Sequence, residues 1–335
     1  MPAGEKKVSV VMCTYNGEKY LKEQIDSIIN QTYPIHEFII QDDSSTDHTM
    51  DILLNYEKEH AGIHVFQNEI QKGVNGNFFS AIARATGDYI AISDQDDIWE
   101  LDKIEQQISY ADNYMLVAGI SKPFASGDNI KIHFDERNMN TNLERVIFLN
   151  MVSGHTMLFG KSLIEKIPDA IYWNNCNCFR FCLYDHLITM VAAANNSIMY
   201  IPHVLVNHRR LIHSRTYSEP VNYEKTFSNI LRFVGRTFYN YFQVRPQMRI
   251  YFTTLYRYIE AIDISSEAKK NAMALARYQS QNSLIAYIKL TVLCVRLRKK
   301  LFYAEEKNNI LSILRAIYFP ISCSDYFRYF LKQNG

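Results

Sequence analysis

Residues Asp88 to Trp99 read "DYIAISDQDDIW". An apolar run closes directly on Asp94, Asp96 and Asp97, which puts three carboxylates within four residues. A short apolar run bounded by polar residues predicts a buried strand. Like charges crowded at its end repel one another unless something positive sits among them. Hard oxygen ligands in such a cluster suit Mg2+ or Mn2+. Ions of this kind keep waters and bind substrate phosphates, so a nucleotide diphosphate is the implied ligand. The competing reading is a solvated loop, or Asp97 as the N-cap of a helix over "IWELDKIEQQ". A cap needs one carboxylate, and the stretch supplies three.

The chain upstream has matching texture. "KVSVVMC" (7–13) predicts a strand that ends in the turn "TYNG". Tyr20 to Gln31 places Leu21, Ile25, Ile28 and Ile29 at helical spacing, and Pro34 stops the helix. "EFIIQ" predicts a second strand, ending at "DDSSTD", where Ser44, Ser45 or Thr46 can cap a helix to about Tyr56. "IHVFQN" and "GNFFSAIARA" repeat the strand and helix alternation before "GDYIAIS". This spacing predicts an α/β fold with a largely parallel sheet flanked by helices. Open α/β sheets bind ligands at the carboxyl ends of their strands, so "TYN", "DDSSTD" and "DQDD" should converge on one crevice. There Asp42 or Asp43 can accept from a base N–H or a ribose hydroxyl, or merely cap the next helix. Tyr15 can stack on a base, or be an ordinary core aromatic.

The 335 residues suffice for one large domain, or for one domain and an appendage. A hydrophobic content of 47% with 21% charged residues is that of a globular protein rather than a disordered one. The net charge of +1 hides a split. Residues 1–221 carry 18 Lys and Arg against 28 Asp and Glu, and residues 222–335 carry 18 against 7. That suggests two units with different partners. The N-terminal apolar run is too short for a signal peptide, and no stretch is apolar enough to span a bilayer. Reduced cytosolic thiols are then the expectation for the six cysteines. Cys176, Cys178 and Cys182 fit no common zinc spacing.

These residues carry a resemblance. "VSVVMCTYNGEKYLKEQIDSIINQTY", "FIIQDDSSTDHT" and "ATGDYIAISDQDDIW" resemble the donor half of family 2 glycosyltransferases of the GT-A fold. "GVNGNFFSAIARATGDYIAISDQDDIW" is closer still to the bacterial rhamnosyltransferase-like branch, and "MVSGHTMLFGKSLIEKIP" resembles that branch's acceptor-side segment. The resemblance covers roughly 7–215. It implies a catalytic domain over 1–221, with a nucleotide-sugar half (1–113) and an acceptor half (114–221). From Asn222 on, Tyr, Phe, Arg and Lys are interleaved with Leu and Ile at helical spacing and Gly is almost absent, which predicts a helical extension over 222–335. The resemblance also implies a nucleotide among Thr14, Tyr15, Asn16, Asp42, Asp43, Asp94 and Gln95. The metal would sit on Asp94, Asp96, Asp97 and His213, and the diphosphate or acceptor beside Gly154, His155, Arg209 and Arg210. Asp185, in "CLYDHLITMVAAA", occupies the position of the family's general base. A carboxylate at the positive end of a helix dipole suits that role, although a plain N-cap would look the same. Glu165, inside a helix-like run, is the weaker candidate. "HRRLIHSR" (208–215) follows the last strand, "IMYIPHVLV", and reads as a basic loop for the diphosphate or as a solvated one. Two departures stand out. Many relatives carry Arg or Lys near "KGVNGN", where this chain has Lys72 one turn early and then Asn75 and Asn77. His186 replaces an aromatic.

The resemblance therefore implies a metal-dependent inverting transferase using dTDP-rhamnose or a UDP-hexose, acting on a hydroxyl of a cell-surface glycan precursor, with a glycan or a lipid-linked molecule as acceptor. A sugar nucleotidyltransferase would share the acidic crevice but needs a Gly-rich basic loop after the first strand, where "CTYNGEKY" has one Gly. A silent nucleotide-sugar-binding module is opposed by the presence of Asp96, Asp97 and Asp185. In the tail, "LIAYIKLTVLCVRLRKKLFY" (284–303) joins an apolar face to Lys289, Arg296, Arg298, Lys299 and Lys300. Peripheral contact with the inner face of the cytoplasmic membrane and packing into a homodimer both fit that pattern. Nothing in the pattern points to nucleic acid.

Overall fold

The computed structural model describes residues 6–127, 130, 132, 134, 140–168, 182–211, 227–303 and 308–327. They divide between two compact units. One comprises 1–135, 152–165 and 197–220, and the other 136–151, 166–196 and 221–335. Two segments inside the first 221 residues belong with the C-terminal helices.

The first unit opens with β1 (Val8–Thr14), α1 (Leu21–Ile29), β2 (Glu37–Asp42), α2 (Thr49–Glu59), β3 (Ile63–Gln67), α3 (Gly73–Ile82) and β4 (Tyr89–Ser93). Val8, Val10, Val11 and Met12 on β1 are all buried, as a central strand covered on both faces requires. Leu21, Ile25 and Ile28 turn one stripe of α1 into the same core. There follow β5 (Ile98–Trp99), α4 (Lys103–Ile108), β6 (Leu116–Ala125), β7 (Leu158–Gly160) and β8 (Ile198–Arg210), with a short helix at Lys161–Glu165. The eight strands form one sheet in the order β3-β2-β1-β4-β7-β6-β8-β5. β3, β2, β1 and β4 are parallel, β7 is antiparallel to β4 and to β6, β8 is parallel to β6, and β5 is antiparallel to β8. The register pairs Thr14 with Asp42 and Met12 with Ser93, so the ends of β1, β2 and β4 share one edge.

Two local expectations are corrected. "IWELDKIEQQ" is not a helix capped by Asp97. Ile98 and Trp99 pair with Asn207 and Val206 as β5, and α4 begins only at Lys103, after Asp102. His208, Arg209 and Arg210 do not lie on a loop, because β8 runs through them alongside β6.

The second unit is helical. Its members are α5 (Leu143–Val146), α6 (Tyr184–Ala194), α7 (Phe227–Ala261), α8 (Glu267–Ser280), α9 (Leu284–Arg296), α10 (Arg298–Leu301) and α11 (Asn309–Ser322). In α6, "LITMVAAA" is apolar all round, and every residue from His186 to Ala194 is buried, as an interior helix demands. Tyr258 of α7 donates its hydroxyl to the Leu187 carbonyl at 3.1 Å. Phe148, after α5, packs its ring against Phe252 and Phe319. Glu144 is fully buried and takes Lys300 Nζ at 2.8 Å and Asn271 Nδ2 at 3.1 Å on one oxygen. Ser266 and Asn308 cap α8 and α11 with side-chain oxygens.

Candidate active site

The turn after β1 is tied to both neighbouring strand ends. Gln95, just past β4, accepts from Tyr15 N at 2.8 Å and donates to Tyr15 O at 3.0 Å. Tyr15 itself stays 47% exposed, which leaves its ring face open to a planar ligand. Asn16 has φ +48° and accepts from Thr46 N through its side chain at 2.9 Å. Asn16 N and Gly17 N are taken by Ser45 Oγ and Thr49 Oγ1.

The two carboxylates after β2 differ. Asp42 is fully buried, and Thr14 Oγ1, Ser45 N, Ser45 Oγ and Gln67 Nε2 all donate to it. Its acceptor capacity is spent on the fold. Asp43 takes Lys72 N and Asn68 Nδ2 on Oδ1, both at 2.8 Å, and Gly73 N on Oδ2 at 2.9 Å. It holds the entry to α3 and keeps lone pairs on Oδ2 to spare. Behind it, Asn77 is buried, accepting from Asn68 Nδ2 and donating to Gln41 O. Asn77, where relatives carry a cation, is therefore part of the frame that fixes Asp43. Lys72 Nζ bonds Ser80 Oγ at 3.1 Å.

The acidic cluster meets a histidine from a distant segment. Asp94, Asp97 and His155 each bring a ligand atom within 4.8 Å of the others. His155 Nδ1 lies 3.1 Å from Asp94 Oδ2 and 3.4 Å from Asp97 Oδ2, and its Nε2 is 2.7 Å from Ser121 Oγ. Asp97 is fully buried; its Oδ1 accepts from Arg209 N at 2.9 Å, while Oδ2 has no hydrogen-bond donor. The positive group facing that oxygen is His155, 3.4 Å off and beyond hydrogen-bond geometry, so the oxygen keeps acceptor capacity that a bound cation would use. Two hard oxygens and an imidazole nitrogen are a donor set for Mn2+ or Mg2+, so the residues present fit a divalent ion. Asp96 is half-buried beside them and is not one of the three converging groups.

Electrostatics agree. Burial, with Asp94 adding, pushes Asp96 up to about 6. Burial pushes Asp97 up to about 7, with His155 opposing and Asp94 and Asp96 adding. Burial works against a charged His155, but the Asp97 and Asp94 carboxylates win and raise it to about 9. His208, whose ring centroid is 4.8 Å from that of His155, is depressed to about 3 by burial and by the His155 and Arg210 charges. The site holds concentrated negative charge that an added cation would relieve.

Arg209 is buried, its Nε donating to the Asp96 carbonyl and its Nη2 to Glu23. Its guanidinium lies over the rings of Tyr20 and Phe124. It braces the acidic loop, and Arg210 follows it at the end of β8. Gly154 and His155 lie on a single 3-10 turn before β7. Glu23, Ser121 and Asn68 have no sequence signal that marks them. His213 and Arg215, like Cys176 and Cys178, lie outside the described residues. Cys13, Cys182, Cys294 and Cys323 are free thiols. In the helical unit, Asp185 stands half-buried in the first turn of α6, its Oδ1 accepting from His186 N at 2.7 Å. Glu165 is exposed at the end of its short helix.

A family model described as "Glycosyl transferase family 2" matches residues 9–167. The putative teichuronic acid biosynthesis glycosyltransferase TuaG of Bacillus subtilis is 42% identical over 103 residues, 31% of this chain and 41% of that protein. The uncharacterised glycosyltransferase MJ1057 of Methanocaldococcus jannaschii is 31% identical over 199 residues, 54% of this chain and 69% of that one. The chain spans about two fifths of the length of the first curated relatives it matches. Among solved structures, residues 1–349 of S. aureus TarS in complex with UDP-GlcNAc superpose with a TM-score of 0.56 at 17% identity, covering 98% of this chain and 91% of that one. At this identity the likeness carries the fold, which is the GT-A fold anticipated from the sequence.

Proposed function

This chain belongs to glycosyl transferase family 2, and on that premise we propose that it is a metal-dependent inverting transferase. It moves a sugar from a nucleotide-diphosphate donor, dTDP-rhamnose or a UDP-hexose, to a hydroxyl of a cell-surface glycan precursor. The observation that carries the reading is the convergence of Asp94, Asp97 and His155 at the strand ends, with one buried carboxylate oxygen left without a donor.

The base stacks on Tyr15 and donates an N–H to Asp43 Oδ2, the acceptor with capacity to spare. Asp94, Asp97 and His155 would hold the divalent ion, with Asp96 beside them. Bound there, the ion would supply Lewis-acid neutralisation of charge developing on the departing diphosphate. Asp185 takes the proton of the acceptor hydroxyl as its oxygen attacks the anomeric carbon opposite the leaving group. The C–O bond to the diphosphate breaks as the new glycosidic bond forms, which inverts the centre. The half-buried carboxylate in the first turn of an apolar helix suits that role.

A thermal-shift screen of nucleotide sugars with Mn2+ and with Mg2+ tests the donor half without an acceptor. One nucleotide sugar should raise the melting point only when the ion is present. No shift with any nucleotide sugar, or an undiminished shift in Asp97→Asn, would overturn the reading.

A further inference from the structure

We propose that the helical unit docks on an anionic lipid surface through the outward faces of α9 and α11. The inference goes beyond the transferase reading and does not depend on it.

A surface helix normally turns its polar residues outward. In α9, Ala286, Leu290, Leu293 and Cys294 point inward. Yet Leu284, Ile285, Ile288 and Val292 are 75, 66, 54 and 64% exposed. Ile285, Ile288 and Val292 follow one another at helical spacing, so they form a stripe. The neighbouring α11, which packs against α9, repeats the arrangement. It buries Ser312, Ala316 and Phe319 and leaves Ile310, Leu314 and Ile317 exposed at spacings of four and three. Its Tyr318 packs its ring against Phe238 of α7, with ring centroids 6.2 Å apart. Exposed apolar stripes on two packed helices mark a binding surface.

Charge selects the occupant. Lys289, Arg296 and Lys299 are exposed on the same two-helix stretch. None of α9, α10 and α11 contains an Asp or Glu. Glu305 and Glu306, the acids nearest in sequence, fall in 304–307, outside the described residues. A second copy seated on this face would set these cations against themselves, whereas anionic headgroups neutralise them. No helix among the described residues is long and apolar enough to cross a membrane, so an amphipathic helix of 13 residues would lie in the interface plane.

Sedimentation of the full chain with vesicles tests this without any transfer assay. The chain should pellet with phosphatidylcholine vesicles containing phosphatidylglycerol at low salt. It should be released as salt rises, and stay in the supernatant with pure phosphatidylcholine. Ile288→Glu combined with Leu314→Glu should abolish pelleting while leaving the helical circular dichroism and the melting point in place. Lys289→Gln combined with Lys299→Gln should weaken binding roughly 25-fold, about five-fold for each cation. Failure of the parent to bind the anionic vesicles at low salt would overturn the proposal. So would binding that both double variants retain in full. A solution dimer that Ile288→Glu with Leu314→Glu dissociates, in a chain without vesicle affinity, would assign the face to a second copy instead.

Discussion

Replacing Gly17 by Ala perturbs the turn after β1 through a single neighbour. A Cβ at position 17 would lie 2.5 Å from Gln95 Oε1 and 2.8 Å from Gln95 Cδ, where ordinary contact begins at 3.4 Å. Gly17 is not among the positive-φ residues, so its backbone accepts Ala without strain. The Gln95 amide is the far end of a flexible chain and must retreat by most of an ångström. That retreat breaks both of its bonds to Tyr15, at 2.8 and 3.0 Å. Two such bonds contribute about 1–3 kcal/mol together. Ala returns about 0.4–1 kcal/mol by restricting the unfolded chain. The net loss should centre on about 1.3 kcal/mol, within about 0–2.6, read as a lower urea midpoint at unchanged m-value. Nucleotide-sugar affinity, read by calorimetry, should fall as well, because the Tyr15 shelf loses its anchor. The decisive measurement repeats the substitution in a Gln95→Ala background, where the clash no longer exists. There Gly17→Ala should be neutral or slightly stabilising. An equal loss in both backgrounds would refute the argument.

Asp94→Asn combined with Asp97→Asn should leave the fold intact and remove the Mn2+-dependent melting shift, a stabilisation of about 2.7 kcal/mol when the ion is at a hundred times its Kd; an unchanged shift would place the ion elsewhere. Asp185→Asn should keep donor binding and lower turnover on the order of a hundred- to ten-thousand-fold, and parental transfer rates would reduce Asp185 to a helix-start residue. His186 is buried with its ring on the Val146 carbonyl, and burial lowers it to about 4. It is neutral in the fold, while the unfolded chain binds its proton near pH 6.5. The stability is therefore whole above pH 6.5 and falls by about 3 kcal/mol as pH drops to 4. His186→Gln should flatten that slope in urea titrations, and an unaltered slope would contradict the assignment.

What the sequence made legible is what short-range chemistry determines. "KVSVVMC", "EFIIQ", "IHVFQN" and "GDYIAIS" became β1 to β4 because apolar period and turn residues are local signals. Their polar ends met at one edge because parallel strands align their termini. The partner of the acidic cluster was not legible in this way. His155 stands 61 residues from Asp94, and only the family resemblance pointed near it. Arg209 read as one cation of a basic loop facing the diphosphate. Its burial depends on Glu23, 186 residues away, and on a strand that continues past "HVLV". Asn77 looked like a missing cation, because the amide network it completes with Asn68 and Gln41 exists only after β2, β3 and α3 have packed.

The chain passes between its two units five times on the way from 135 to 221. This dictates an order of events during synthesis. The sheet cannot be completed until β8 has emerged from the ribosome, and α6, which precedes it, emerges first. From His186 to Ala194 every residue of that helix is buried in the finished fold, and Tyr258 and Phe252, which belong to its unit's core, are translated some sixty residues later. Until then the apolar residues of α6 have no core to enter and are open to aggregation. A fragment ending at 221 would keep that exposure permanently and should aggregate on release, whereas the sheet edge with its acidic cluster lies entirely in residues that such a fragment retains.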